Sequence, residues 1–118
     1  MATPAVAWFE VTGKDGASLQ DFYGKLFDWQ VNDAGDGSGY GLVAAAERGI
    51  GGGIGAAQDG DPGHVTFYVE VDDPAAALEK ISQLGGSTVQ PPMDVPGGPT
   101  IALFADPEGH VVGLVKAA

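Results

Sequence analysis

His64-Val65-Thr66-Phe67-Tyr68-Val69-Glu70-Val71 (HVTFYVEV), running into Asp72-Asp73-Pro74, is the stretch on which the fold turns. β-Branched and aromatic residues dominate its first eight positions, as expected of a half-buried strand. Asp73 then offers a side-chain oxygen to the unpaired amides of a helix start. Pro74 suits the first helical position, where its missing N–H would have had no partner. Ala77, Leu78, Ile81 and Leu84 recur at helical spacing, and Gly85-Gly86 closes the helix. Further strands are expected at about Thr88 to Gln90, Thr100 to Ala105 and Val111 to Lys116, with Pro91 to Pro99 as a loop.

The same order occurs upstream. Ala5 to Val11 (AVAWFEV) reads as a strand, and Leu19, Phe22, Leu26 and Phe27 fall on one face of a helix that Asp15 or Ser18 can cap. Strand-like pieces follow around Trp29 to Asn32, Tyr40 to Ala46 and Ile50 to Ala57. The turn-rich stretches Asp33 to Gly39 and Gln58 to Gly63 separate them. The halves begin at Trp8 and His64, and their likeness lies in the hydrophobic pattern more than in the letters. Strand, helix and three strands, stated twice, give an α+β class rather than a doubly wound parallel sheet. The expected organisation is one domain, 1–118, of two βαβββ units divided near residue 60.

A chain of 118 residues can bury a core without covalent staples, and with no cysteine it has none. Thiolate metal sites and cysteine nucleophiles are thereby excluded. Sixteen acidic against five basic residues, a net charge of -11, make nucleic acid and anionic membranes poor partners. The N-terminal stretch lacks a basic leader, and no apolar run approaches the roughly 20 residues that cross a bilayer. A cytoplasmic protein is expected.

VAWFEV, the helix carrying Phe22-Tyr23, and Leu26-Phe27-Asp28-Trp29 resemble the first βαβββ unit of the vicinal-oxygen-chelate superfamily, which includes glyoxalases, bleomycin-resistance proteins and extradiol dioxygenases. His64 to Asp73 resembles the opening of its second unit. Phe104-Ala105-Asp106-Pro107-Glu108-Gly109-His110 resembles its turn before the last strand. The resemblance implies eight strands cupped around a cavity, with the cup completed by a homodimer in single-module members. It does not choose among the family's functions.

Metal-using members hold a divalent cation through the first, fourth, fifth and last strands. Carried onto this chain, those positions fall on Trp8, near Ile54, on His64 and on Gly113. The indole nitrogen carries a proton and offers no lone pair, Ile54 is apolar, and glycine has no side chain. His64 alone is competent, so no metal site and no cofactor are expected. Glu10 shares the strand face of Trp8 and would add one more donor at most.

The candidate ligand-binding residues are therefore Trp8, Glu10, His64, Tyr68 and Gly113. Glu10 and His64 are the candidates for acid/base catalysis. Trp29 and Tyr40 are further aromatic candidates, with core packing the competing role for each. The run Gly49 to Gly55 (GIGGGIG) lacks the strand-before, helix-after context of a dinucleotide loop; here and at Gly113, missing side chains are expected to leave room for a ligand. The expected function is binding of a small organic molecule, apolar or aromatic, without the family metal. The alternatives are a metal-free isomerase or epimerase using Glu10 and His64, a metal-dependent lyase or dioxygenase, or a module serving only as a structural partner.

Overall fold

The computed structural model describes residues 3–117; Met1, Ala2 and Ala118, the ends of the expected domain, lie outside them. The elements are β1 (Val6–Gly13), α1 (Gly16–Phe27), β2 (Val31–Asp33), β3 (Gly41–Val43), β4 (Gly51–Ala56), β5 (His64–Val71), α2 (Pro74–Gln83), β6 (Ser87–Asp94), β7 (Thr100–Ala105) and β8 (Val111–Lys116). The fold is α+β, with strand–helix–three strands stated twice. Two compact units result: Trp8–Val65, and the chain from Thr66 onward together with the residues up to Ala7.

In the first unit the strand order is β2-β3-β4-β1, with β1 parallel to β4 and the other pairs antiparallel. Asp15, not Ser18, caps α1: its carboxylate accepts the Ser18 amide at 3.0 Å. The helix ends at Asp28, which adopts the left-handed conformation (φ 58°), and Trp29 N–H closes back on the Gly24 carbonyl. Val11, Val43 and Ile54 form the core, with Phe9, Leu19, Tyr23 and Val31 packed against it. The expected packing face of α1 is thus shifted. Leu19 and Tyr23, one turn apart, face the sheet, whereas Phe22 and Leu26 are each 57% exposed. Trp29 stacks among Phe9, Tyr23 and Phe27, with centroids 4.9–6.4 Å apart.

The second unit repeats the plan as β5-β8-β7-β6, with β5 parallel to β8. Asp73 caps α2 by accepting the Ala75 and Ala76 amides, and Leu78 packs with Ala102 and Leu114. The loop Pro91 to Pro99 is shorter than expected: Pro91 to Asp94 continue β6, and only Val95 to Pro99 form the turn, closed by Val95 N–H on the Pro99 carbonyl. Register slips between Gln90 and Met93, where Pro91 and Pro92 lie in the strand that ends the order. Proline has no N–H to give a ladder, and an irregular edge position asks for none.

Two tight features of this unit lead to measurable consequences. A Cβ at Gly113 would overlap the ring of Tyr68, its register partner on β5, whose side chain is buried (5% exposed). Gly113→Ala should therefore cost about 1–3 kcal/mol through overpacking, read by urea denaturation; an unchanged midpoint would refute the contact. Before β8, Asp106 accepts the amides of His110 and Glu108 and pairs with the His110 ring at 2.9 Å. The His110 amide, then its ring, holds the Asp106 carboxyl below the ordinary carboxylate range. Because the folded value is lowered, the turn's contribution is complete above the unfolded value and fades as pH falls through the native one. His110→Ala should move the Asp106 carboxyl resonance titration upward by NMR while the backbone component persists.

Candidate functional site

The candidate site grows out of the parallel pairing of β1 with β4. Trp8 lies opposite Gly51, Glu10 opposite Gly53 and Thr12 opposite Gly55. Strand alternation sends Trp8 and Glu10 to one face, and Phe9 and Val11 to the helix-packed face. Ile54, expected near a family ligand position, belongs to that second face: it is fully buried with Val11 and Val43. On the Trp8 face, β4 presents only the glycines 51, 53 and 55 within its length.

Those glycines do not leave the open space expected of them. A Cβ at Gly53 would overlap the Tyr40 ring and hydroxyl, and one at Gly55 would press the same ring at 2.8 Å. On the opposite face, a Cβ at Gly52 would overlap Phe9. The glycine row is a shelf on which aromatic rings already lie.

Tyr40 links the polar residues of the shelf. Trp8 Nε1–H donates to the Tyr40 hydroxyl at 3.1 Å, and that hydroxyl donates to Glu10 Oε2 at 2.8 Å. The other carboxylate oxygen, Oε1, meets His64 Nε2 at 2.8 Å. Both side chains of the pair keep some solvent access, 22% for His64 and 13% for Glu10. His64 arrives there through the turn before β5. Gly63 takes a positive φ (93°) and lies so close to the Thr12 carbonyl that any Cβ would overlap it, while His64 N–H donates to Thr12 Oγ1.

An ionised carboxylate only accepts, so the Nε2 contact places a proton on that nitrogen and leaves the Nδ1 lone pair available in the neutral ring. No hydrogen bond to Nδ1 is seen among the described residues, and the His64 side chain as a whole keeps 22% of its surface exposed. The constellation is an imidazole oriented through Nε2 by a carboxylate.

The structure thus brings together Trp8, Glu10 and His64 of the expected residues and adds Tyr40 as their connector. Tyr68 and Gly113 belong to the other unit, where the ring of Tyr68 fills the space above Gly113. Sequence alone counted Tyr40 among stacking candidates. Its hydroxyl's role depends on a contact spanning thirty positions of chain to Glu10.

A family model described as "Glyoxalase/Bleomycin resistance protein/Dioxygenase superfamily" matches residues 5–114. The chain belongs to this superfamily. The anthracycline biosynthesis protein DnrV of Streptomyces peucetius is 36% identical over 124 aligned positions, covering 92% of this chain and 45% of the relative. The chain spans less than half the length of that relative. Among solved structures, methylmalonyl-CoA epimerase from Mycobacterium tuberculosis superposes with a TM-score of 0.68 at 16% identity, covering 100% of this chain and 93% of the other. A superfamily member from Vibrio splendidus gives 0.63 at 14% identity, with 98% and 100% covered. At these identities the two structures share the fold.

The family's divalent cation does not fit the residues this superfamily member presents. Trp8 Nε1 is a donor already given to Tyr40, β4 offers glycines on that face, and Gly113 has no side chain. Among the described residues, no three His, Cys, Asp or Glu side chains gather as a metal would require.

Gly53→Ala tests the shelf. The added methyl should displace the Tyr40 ring, and the Trp8 indole proton should lose its hydrogen-bonded chemical shift and exchange faster with water. A spectrum in which Trp8 is unmoved would contradict the described packing.

Proposed function

We propose that this chain is a metal-independent small-molecule-binding member of its superfamily, taking a ligand with an apolar or aromatic body against Trp8, Glu10 and His64. The supporting observation is the linked series Trp8–Tyr40–Glu10–His64 on a glycine shelf: an aromatic surface next to polar atoms of fixed direction. Binding sites for organic molecules combine these two elements, the first for area and the second for orientation. In this reading the chain needs no cofactor, its macromolecular partner is a second copy of itself, and neither nucleic acid nor membrane takes part. Its place of action is the cytoplasm. No helix among the described residues is long and apolar enough to cross a membrane.

The relative named for anthracycline biosynthesis makes a flat aromatic compound the first class to try. Quinizarin, a planar anthraquinone, should quench tryptophan fluorescence saturably, and chelation of divalent metals should leave the affinity unchanged. Trp8→Ala and His64→Ala should each weaken binding by about tenfold, the scale of one lost stacking or hydrogen-bonding partner. Binding that requires added metal, or that survives both substitutions unchanged, would overturn the reading.

A second reading rests on His64 Nδ1. Held at Nε2 by Glu10, the ring is set to take a proton at Nδ1 and return it, the requirement of metal-free isomerisation or epimerisation. Solvent deuterium incorporation into an α-hydroxyketone such as benzoin, lost in His64→Ala, would establish it. Incorporation no faster than in buffer would leave binding as the function.

A further inference from the structure

The hydroxyphenyl ring of Tyr40 is itself a phenol seated between Trp8 and Glu10. Its oxygen accepts from Trp8 Nε1–H and donates to Glu10 Oε2, while its ring lies on Gly53 and Gly55. That pattern suits a phenol or enol, which accepts and donates at a single oxygen. A ketone or methyl ether there would leave the Glu10 carboxylate facing an oxygen with no proton to give, an unfavourable approach of acceptors.

The backbone at Tyr40 is anchored by contacts that do not involve its ring. Tyr40 backbone groups are bound on both sides: its N–H donates to Ser38 Oγ at 3.1 Å, and its carbonyl accepts Ala34 N–H at 2.9 Å. Gln20 Nε2 reaches the Gly39 and Ile54 carbonyls at 2.8 and 2.7 Å, holding the preceding loop against β4. Rotation about the Tyr40 side-chain bonds would clear Gly53 and Gly55 while these anchors stay. It would uncover the glycine row that runs beside Trp8 and Glu10. The close fit at Gly53 makes the row free of side chains, so a planar ring can replace another planar ring there.

We propose that Tyr40 is an internal surrogate ligand: a displaceable plug in a site that recognises the hydroxyl of a phenolic or enolic aromatic compound through Trp8 Nε1–H and Glu10. The proposal rests on the ligand-binding reading above and names the chemistry of its ligand. It makes the apparent affinity of the site a competition between Tyr40 and the incoming phenol.

Naphthol and its methyl ether, which differ in the hydroxyl proton, are suitable probes. Calorimetric titration of the full chain, the Tyr40→Phe variant and the Tyr40→Ala variant gives the comparison. Tyr40→Phe keeps the ring and creates no new cavity, but removes the hydroxyl's hydrogen bonds with Trp8 and Glu10. It should bind naphthol about fivefold tighter than the unmodified chain, the effect of about one net hydrogen bond. Tyr40→Ala should bind it tighter still, and naphthol should exceed its methyl ether in every protein except Glu10→Gln combined with Tyr40→Ala, where the preference should shrink. In the unmodified chain, naphthol should shift the Tyr40 ring resonances. Weaker or unchanged naphthol binding in Tyr40→Phe would make Tyr40 a fixed wall and overturn the plug. In that event, continued dependence on Trp8 and His64 would keep the binding site itself. Equal binding of naphthol and its ether by Tyr40→Phe would overturn the phenol preference. Naphthol affinity indifferent to Trp8→Ala and His64→Ala would instead remove the site on which the proposal rests.

Discussion

The parallel pairing of β1 with a strand in which four of six residues are glycine is the constraint on which the first unit depends. Gly52 lets Phe9 lie against the sheet on the helix side, and Gly53 with Gly55 lets Tyr40 lie flat on the other. Larger residues would lift both rings, separating α1 from its core and the Tyr40 hydroxyl from Trp8 and Glu10. Glycine in a strand interior costs conformational entropy and packs nothing of its own. Here that cost is offset by two aromatic rings seated where a Cβ would otherwise stand. The second unit uses the same device once, with Gly113 beneath Tyr68.

Seating Tyr40 this way links chemistry drawn from three places in the chain. Trp8 and Glu10 come from alternate positions of β1, Tyr40 from the residue before β3, and His64 from the first position of β5. The carboxylate is oriented from both sides, and it in turn orients the imidazole. A superfamily known for holding metals at corresponding strand positions has here a hydrogen-bonded series in the same part of the fold. At the positions the family resemblance assigns to metal ligands, indole and glycine offer no lone pair, whereas the hydrogen bonds of this series fix the direction of its side chains.

Much of the architecture was legible along the chain. HVTFYVEV is a strand over the residues expected, Asp73 caps and Pro74 begins the following helix, and the strand–helix–three strands order occurs twice. The failures have local causes. Apolar spacing placed Phe22 and Leu26 on the packing face of α1, but that stripe is broad, and only contact with the sheet selected Leu19 and Tyr23 within it. The consecutive prolines 91 and 92 signalled a loop, yet an irregular edge strand tolerates them because it requires no amide there. Ile54 was one position out of phase with the site face, and a single residue reverses the direction of a strand side chain.

Local chemistry written in the sequence was enough to establish the α+β class, the repeated unit, the Asp73 cap of α2 and the lack of a coordinating lone pair at Trp8 and Gly113. Those properties depend on neighbours a few positions away, or on the lone pairs a side chain possesses. The joining of Glu10 to His64, the place of Tyr40 between Glu10 and Trp8, and the filling of the glycine shelf were decided only in three dimensions. They depend on strand register, on the Gly63 turn and on ring packing between segments tens of residues apart. A composition rich in glycine announces missing side chains; only the folded chain decides which neighbouring ring takes their place.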